Sequence, residues 1–131
     1  MRNRAGIILC SGNCVLLIKR IKDGNIYYVV PGGGLKVGED YEAAAKRELY
    51  EETGLCAENI KEFVSLSTDR GTEKYYFSVM ANKCKVEISG EEANRQRELN
   101  QYIPEWIMID ELDEINLLPA ELKKNIKNVL G

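Results

Sequence analysis

The sequence predicts a single domain, residues 1–131, of the α/β (α+β) class, in which helices cover a mixed β-sheet. Short apolar, β-rich runs alternate with glycine-containing turns. One strongly helix-forming stretch follows the first three runs, and the C-terminal stretch carries apolar residues at helical spacing. The composition, 44% hydrophobic and 30% charged, is typical of a globular domain, and a chain of this length can bury an ordinary core.

Three strands are expected before the first glycine run. Residues 4–10 and 14–20 are β-rich, and the Ser11-Gly12-Asn13 segment between them predicts a hairpin turn. After a second short break, residues 26–30 predict a third strand that ends at Pro31. The glycines at positions 32–34 therefore follow directly on a strand.

A helix is expected over residues 41–53, because this stretch consists mainly of good helix formers. Asp40 precedes it as a candidate N-cap. Gly54 follows it and can end the helix in a left-handed backbone conformation. The sequence thus specifies both ends of this helix.

The second half of the chain predicts three more strands and a terminal helix. Residues 60–66 and 74–83 are β-rich, residues 87–101 form a polar loop, and residues 103–109 return to strand. After Pro119, four apolar residues recur at helical spacing and form one stripe: Leu122, Ile126, Val129 and Leu130.

Charge and hydropathy exclude some classes of protein. The net charge is −3 and no Lys/Arg cluster is dense, so we expect no nucleic-acid partner. The apolar run at residues 5–10 is too short to span a bilayer and precedes no cleavage pattern. We therefore expect no membrane association and a cytoplasmic location, with either a monomer or a homodimer compatible with the sequence.

The chain contains no histidine, which excludes Ser-His and Cys-His nucleophilic mechanisms. Its cysteines form no CxxC pair, so we expect buried reduced thiols and no zinc site; they are Cys10, Cys14, Cys56 and Cys84. Acid–base chemistry then falls to carboxylates, lysine, tyrosine or metal-bound water.

Three glutamates share one face of the predicted helix. Glu48, Glu51 and Glu52 stand at i, i+3 and i+4, on the side that also carries small apolar residues. A solvated acidic surface would explain most such charge runs. Mutual repulsion and partial burial argue against that explanation here, because both are relieved by a hard cation. Oxygen ligands without His or Cys favour Mg²⁺ or Mn²⁺.

The glycine run offers backbone in place of side chains. Gly32, Gly33 and Gly34 allow carbonyls to reach a metal and amides to approach a phosphate. A tight turn after a strand explains the same glycines equally well.

These residues together match a family pattern. Gly33 is followed after five residues by Glu39 and after seven more by Arg47-Glu48-Leu49, then by Glu51-Glu52 and Gly54-Leu55. The segment is similar to the complete Nudix box of the Nudix hydrolases. The resemblance implies an α/β/α sandwich and the hydrolysis of a nucleoside diphosphate linked to another group.

The resemblance also implies roles for the box residues. Glu48 becomes a metal ligand or the general base, and Arg47 orients the glutamates through a partner, Glu39, at the end of the loop. Glu39 and Gly54 are then structural supports. The implied metal ligands are the Gly32 carbonyl, Glu48, Glu51 and Glu52.

Further site residues are proposed outside the helix. The family often adds a glutamate from a later loop, and Glu98 is preferred over Glu91 and Glu92 because it lies closest to the strand that contains Trp106. Candidate substrate contacts are Arg20, Gly33, Gly34 and Tyr28, and the tyrosine and phenylalanine side chains are equally compatible with ordinary packing.

The leading hypothesis is a metal-dependent pyrophosphohydrolase that acts on a small nucleotide, such as a (d)NTP or a nucleotide sugar. The first alternative is an enzyme that removes pyrophosphate from RNA 5′ ends. The second is a non-catalytic nucleotide-binding sensor, which would be expected to lose box glutamates or to carry a DNA-binding module.

Overall fold

The fold was analysed in a computed structural model that describes residues 2–80 and 100–130. In chain order, its strands and helices are β1 (Arg4–Ser11), β2 (Cys14–Lys22), β3 (Asn25–Val29), β4 (Gly32–Gly34), α1 (Tyr41–Thr53), β5 (Lys61–Thr68), β6 (Gly71–Val79), β7 (Asn100–Met108), β8 (Leu117–Leu118) and α2 (Ala120–Leu130). A 3₁₀ helix, Ile109–Glu114, joins β7 to β8.

The strands form one mixed sheet in the order β5-β6-β1-β2-β3-β8, with β4 paired to β1 and β7 paired to β2. β1 runs parallel to β6 and antiparallel to β2 and β4. The edge of β1 that faces away from β6 pairs with two strands: Arg4–Gly6 pair with β4, and Cys10–Ser11 pair with β2. The expected α/β (α+β) class with a mixed sheet and flanking helices is confirmed.

Side chains alternate across β1 and so supply two cores. Ile7 and Leu9 pack with Leu49 of α1 on one face. Ile8 packs with Leu122 and Ile126 of α2 on the other face. We call these the α1 face and the α2 face of the sheet. All six side chains are fully buried, so β1 is a central strand covered on both faces.

Several element boundaries differ from the sequence-based expectation. The glycine run is a short strand paired with β1 and is not only a turn. β6 begins at Gly71, earlier than expected. β7 begins at Asn100, inside the expected polar loop, because its polar first residues pair with the end of β2. The 3₁₀ helix and β8 were not predicted.

Two predictions about apolar residues need correction. Leu122 and Ile126 are buried and Leu130 packs against the same core, but Val129 is 66% exposed and lies off the stripe. Among the thiols, Cys10 and Cys14 are buried as expected, whereas Cys56 is exposed. Cys84 lies outside the described residues.

Burial raises the pKa of the Cys10 thiol to about 11, and the neighbouring Cys14 contributes to this shift. The Cys10 thiol is therefore protonated at neutral pH. No helix within residues 2–80 and 100–130 is long and apolar enough to cross a bilayer.

Candidate active site

Helix α1 has well-defined ends. The Asp40 carboxylate accepts a hydrogen bond of 2.8 Å from the Ala43 amide, which satisfies one of the free donors of the first turn. At the other end Gly54 has φ 76° and donates its amide to the Tyr50 carbonyl at 2.8 Å. Both predicted caps are confirmed, so the register of the glutamates along the helix is fixed.

The three box glutamates lie beside the buried side of α1. Ala44, Ala45 and Leu49 are inaccessible and hold the helix against the α1 face of the sheet. Glu52 is only 7% exposed. The side chains of Glu48 and Glu51 are 15% and 39% exposed, so exposure increases from Glu52 outwards. The carboxylates therefore do not form an ordinary solvated surface.

Arg47 connects helix α1 to the glycine strand β4 and to the loop between β4 and α1. Its Nε and Nη2 donate to the two carboxylate oxygens of Glu39 at 2.7 and 2.9 Å, which is a bidentate ion pair. Nη1 donates to Glu48 at 2.7 Å and, more weakly, to Glu51 at 3.3 Å. Nη2 also donates to the Gly34 carbonyl at 3.0 Å. The structure thus contains the Glu39–Arg47 ion pair that the sequence predicts.

This ion pair shifts the titration of both partners. The guanidinium of Arg47 lowers the pKa of Glu39 from its ordinary value of 4.5 to about 2, and the Lys36 amide, which donates to the same carboxylate at 2.9 Å, adds to the effect. Hydrogen bonds from Arg47 to Glu39 and then to Glu48 raise the pKa of the arginine. Glu39 is therefore ionised throughout the neutral range and holds the loop on the helix.

The glycines of β4 are required by close packing. A Cβ on Gly33 would lie 2.5 Å from the Glu48 carboxyl carbon, and a Cβ on Gly32 would lie 2.5 Å from the Ala5 carbonyl oxygen. The Gly32 amide donates to Glu52 at 2.7 Å. This strand therefore contacts both the sheet and the glutamates: a side chain at position 32 would meet rigid backbone, and one at position 33 would displace the end of Glu48.

The donor set suits a hard cation. Three carboxylates, those of Glu39, Glu48 and Glu51, contact the Arg47 guanidinium, and the fourth, that of Glu52, accepts from the Gly32 amide, so oxygen atoms are the available ligands. Within residues 2–80 and 100–130, however, no three acidic or thiol side chains already converge as metal ligands. Arg47 draws Glu48 and Glu51 together while the Gly32 amide draws Glu52 towards β4. Binding a cation there requires a change of glutamate rotamer.

The two predicted substrate contacts on the sheet lie on opposite faces. Arg20 follows Leu16 by four residues and shares its face, which is the α1 face. Tyr28 pairs with Lys19 and packs into the core of the α2 face. Its pKa is raised by burial and by the neighbouring Glu105. The structure therefore separates Tyr28 from the helix that carries the box.

Two tyrosines accompany Arg20 on the α1 face. Arg20 pairs in register with Tyr27 of β3 and Tyr102 of β7, and its guanidinium carbon lies 5.6 and 3.8 Å from their ring centres. Nη2 donates to the Asn100 side chain at 3.0 Å, whereas Nε is buried without a hydrogen-bond partner among the described residues. The sequence interpretation missed Tyr27, although two-residue alternation from Arg20 across the hairpin could have found it.

Cavities of about 340 and 400 Å³ lie along β5, β6 and the start of α1, away from the box glutamates. Glu98, Glu91 and Glu92, the candidates for a distal carboxylate, lie outside the described residues. The site as described thus consists of α1, β4 and the loop that ends at Glu39.

Comparison with known proteins gives a consistent result. The NUDIX domain family matches residues 1–130. A curated relative from Psychromonas ingrahamii, named RNA pyrophosphohydrolase, is 44% identical over 75 residues, which cover 56% of this chain and 39% of the relative. The matched region spans 34% to 54% of the length of such relatives.

Solved structures show the same fold. A chain of MutT from Aliivibrio salmonicida or Vibrio cholerae is 20% identical, with a TM-score of 0.70 and 97% of both chains covered. The NUDIX domain of Shewanella oneidensis NrtR, complexed with ADP ribose, is 17% identical, with a TM-score of 0.73 and coverage of 98% of this chain and 88% of that one. At these identities the likeness concerns the fold alone.

Proposed function

This chain belongs to the Nudix family, as the resemblance of its box indicated, and we propose that it hydrolyses a phosphoanhydride bond in a nucleoside diphosphate linked to another group. The observation that carries the proposal is the arrangement of Glu48, Glu51 and Glu52 beside a glycine strand, with one arginine bridging two of them. Relatives of this chain that are named for pyrophosphohydrolase activity support the reaction class.

The proposed cofactor is Mg²⁺ or Mn²⁺. The residues that would hold it are Glu48, Glu51, Glu52 and the Gly32 carbonyl. When bound, such a cation neutralises phosphate charge and lowers the pKa of water. Helix α1 and strand β4 hold the backbone of this site from two sides, and binding the cation then requires the change of glutamate rotamers described above.

The remaining roles belong to the protein. Glu48 is proposed to take the proton from the attacking water, since its carboxylate is largely enclosed and faces Gly33. Arg47 is proposed to keep Glu48 oriented through their 2.7 Å hydrogen bond while Glu39 anchors the guanidinium. Gly33 and Gly34 stay candidates for substrate contacts through their backbone, because the missing Gly33 side chain makes room for the Glu48 carboxylate. Glu98 stays a candidate for a distal carboxylate.

Substrate selection is proposed to involve Arg20 and its two tyrosines. A guanidinium stacked on Tyr102 presents a flat cationic surface to which a base or a phosphate can bind. The Arg20 Nε, which has no hydrogen-bond partner in the part of the chain that the structure describes, offers a further donor after a small movement of the side chain. Tyr28 is a weaker candidate, because it packs on the opposite face.

A second candidate substrate is an RNA 5′ end. The curated relatives named RNA pyrophosphohydrolase favour it, and the expectation of no nucleic-acid partner is therefore open. A non-catalytic sensor is disfavoured because every glutamate of the box is present. The NrtR domain nevertheless shows that this fold can bind ADP ribose.

A hydrolysis screen tests the proposal. Wild-type protein is incubated with Mg²⁺ or Mn²⁺ and with (d)NTPs, nucleotide sugars, ADP-ribose, dinucleoside polyphosphates and triphosphate-ended RNA, and the products are identified by mass. Glu52→Gln serves as the site variant and Glu58→Gln, an exposed glutamate beyond the helix, as the matched control. Nucleotide binding by the wild type without any phosphate release would contradict the enzymatic function.

A further inference from the structure

A charged cavity lies apart from the box, at the end of the β1–β6 pair where Arg4 is the register partner of Glu73. It has a volume of about 180 Å³ and is lined by Arg2, Arg4, Arg70 and Glu73. Arg4 and Glu73 are register neighbours in parallel strands β1 and β6. Arg70 is in the turn between β5 and β6, and its carbonyl accepts a 2.6 Å hydrogen bond from the Arg2 amide. Sheet pairing therefore brings Arg70 next to Arg2 and Arg4, which lie far from it in the sequence.

The cavity is strongly cationic. Three guanidiniums face one carboxylate, and the Glu73 carboxylate already accepts a 2.6 Å hydrogen bond from the Tyr75 hydroxyl. Within residues 2–80 and 100–130, Arg2, Arg4 and Arg70 form no ion pair within 4.0 Å of a carboxylate. Three like charges repel one another when no counterion is present. An anion in the cavity would remove this repulsion.

The cavity is distinct from the box carboxylates. Arg4 lies two residues before Gly6 and four before Ile8, so its side chain is on the α2 face, whereas the box helix covers the α1 face. Gly34 lies between the cavity and the box: a Cβ on it would be 4.0 Å from Arg2 Nε, and its carbonyl accepts a hydrogen bond from Arg47. The two groups of charges thus lie on either side of β4.

We propose that this cavity binds a phosphate group. A planar carboxylate can satisfy one guanidinium fork, whereas the tetrahedral oxygens of phosphate can accept from several directions at once. Three guanidiniums, from the residue pair Arg2 and Arg4 at the start of β1 and from Arg70 in the β5–β6 turn, match the second geometry. The phosphate is either part of a nucleotide chain that extends past the hydrolytic site or a free phosphate ion.

The test measures binding in the absence of metal and of hydrolysis. Inorganic phosphate is titrated into protein kept in EDTA, and the amide resonances of Arg70 and Gly71 are followed by NMR. Arg70→Gln and Arg2→Gln each remove one guanidinium that is exposed in the free protein. Lys61→Gln is the matched control, because it removes one exposed positive charge at the far end of the β5–β6 pair.

We expect saturable shifts in wild type and in Lys61→Gln, and about tenfold weaker binding in each arginine variant. Acetate should bind more weakly than phosphate. The proposal is overturned if wild type shows no saturable shift, or if Lys61→Gln weakens binding as much as Arg70→Gln. Because no turnover is needed, this outcome is independent of whether the protein hydrolyses nucleotides.

Kinetics identify the source of the phosphate. If Arg70→Gln raises KM for triphosphate-ended RNA but not for ATP, the phosphate belongs to a nucleotide chain. If binding of inorganic phosphate weakens while both KM values stay unchanged, the cavity holds the free ion.

Discussion

The bidentate pair between Glu39 and Arg47 allows a quantitative prediction for Glu39→Gln. The glutamine keeps the shape and one acceptor but loses the charge. The pKa of Glu39 falls from 4.5 to about 2 on folding, a difference of about 2.5 units. At about 1.4 kcal/mol per unit this sets an upper bound of about 3.5 kcal/mol. Because the two side chains are 14% and 20% exposed, solvent screening reduces the expected loss to about 1–2 kcal/mol.

The pH dependence follows from the direction of the shift. A carboxylate with a lowered folded-state pKa stabilises the protein fully above its unfolded value of 4.5, and the contribution disappears as the pH falls towards 2. The gap in unfolding free energy between wild type and Glu39→Gln should therefore be complete at pH 7. It should shrink progressively below pH 4.5 in urea unfolding experiments.

The control is Asp113→Asn, which breaks an exposed ion pair with Lys127. That substitution should change the unfolding free energy little, because exposed pairs contribute little. A wild-type advantage over Glu39→Gln that stays constant from pH 7 to pH 2.5, or no advantage at pH 7, would refute the reasoning.

Three further predictions concern the site. Gly33→Ala should lower kcat at least tenfold with near-normal stability, because the new Cβ displaces the flexible end of Glu48. Gly32→Ala should instead lower the unfolding free energy by about 2 kcal/mol, because its Cβ meets rigid backbone. Glu48→Gln should lower kcat by at least a hundredfold, in the range for general-base loss. Tyr102→Leu should raise KM about fivefold with kcat nearly unchanged, since stacking on Arg20 is worth about 1 kcal/mol.

Steady-state assays and thermal unfolding on the same preparations distinguish these effects. Equal losses of stability in the two alanine variants would contradict the packing argument. Retention of most of kcat by Glu48→Gln would exclude it as the base. A fall in kcat without a change in KM for Tyr102→Leu would place this tyrosine outside substrate binding.

Local sequence signals were sufficient for α1 and most strands. Helical spacing and the Asp40 and Gly54 caps fixed the helix, and the box pattern led to the Glu39–Arg47 pair. Strand β4 was missed because glycines carry no side-chain pattern, and its pairing with β1 depends on contacts between segments distant in sequence. The predicted start of β7 was too late in the sequence, because the first residues of this strand are polar and Pro104 lies within it.

The substrate-contact predictions show the same division. Arg20 was chosen from its position at the end of a strand, and the structure places it on the α1 face. The sequence interpretation named Tyr28 and did not consider Tyr27, because only the inter-strand register decides which of two adjacent side chains shares a face with Arg20. Register is a property of two strands together, so a reading of either strand alone leaves it undetermined.

The attachment of β4 to β1 also has a consequence for motion at the site. The Gly32 amide and the Gly34 carbonyl bind side chains of α1, while both residues pair with the central strand of the sheet. Opening this part of the site therefore requires separation from a strand that is buried on both faces. We expect the Gly32 amide to exchange with deuterium as slowly as the amides of β1, so that the glutamates rest on the least mobile part of the molecule.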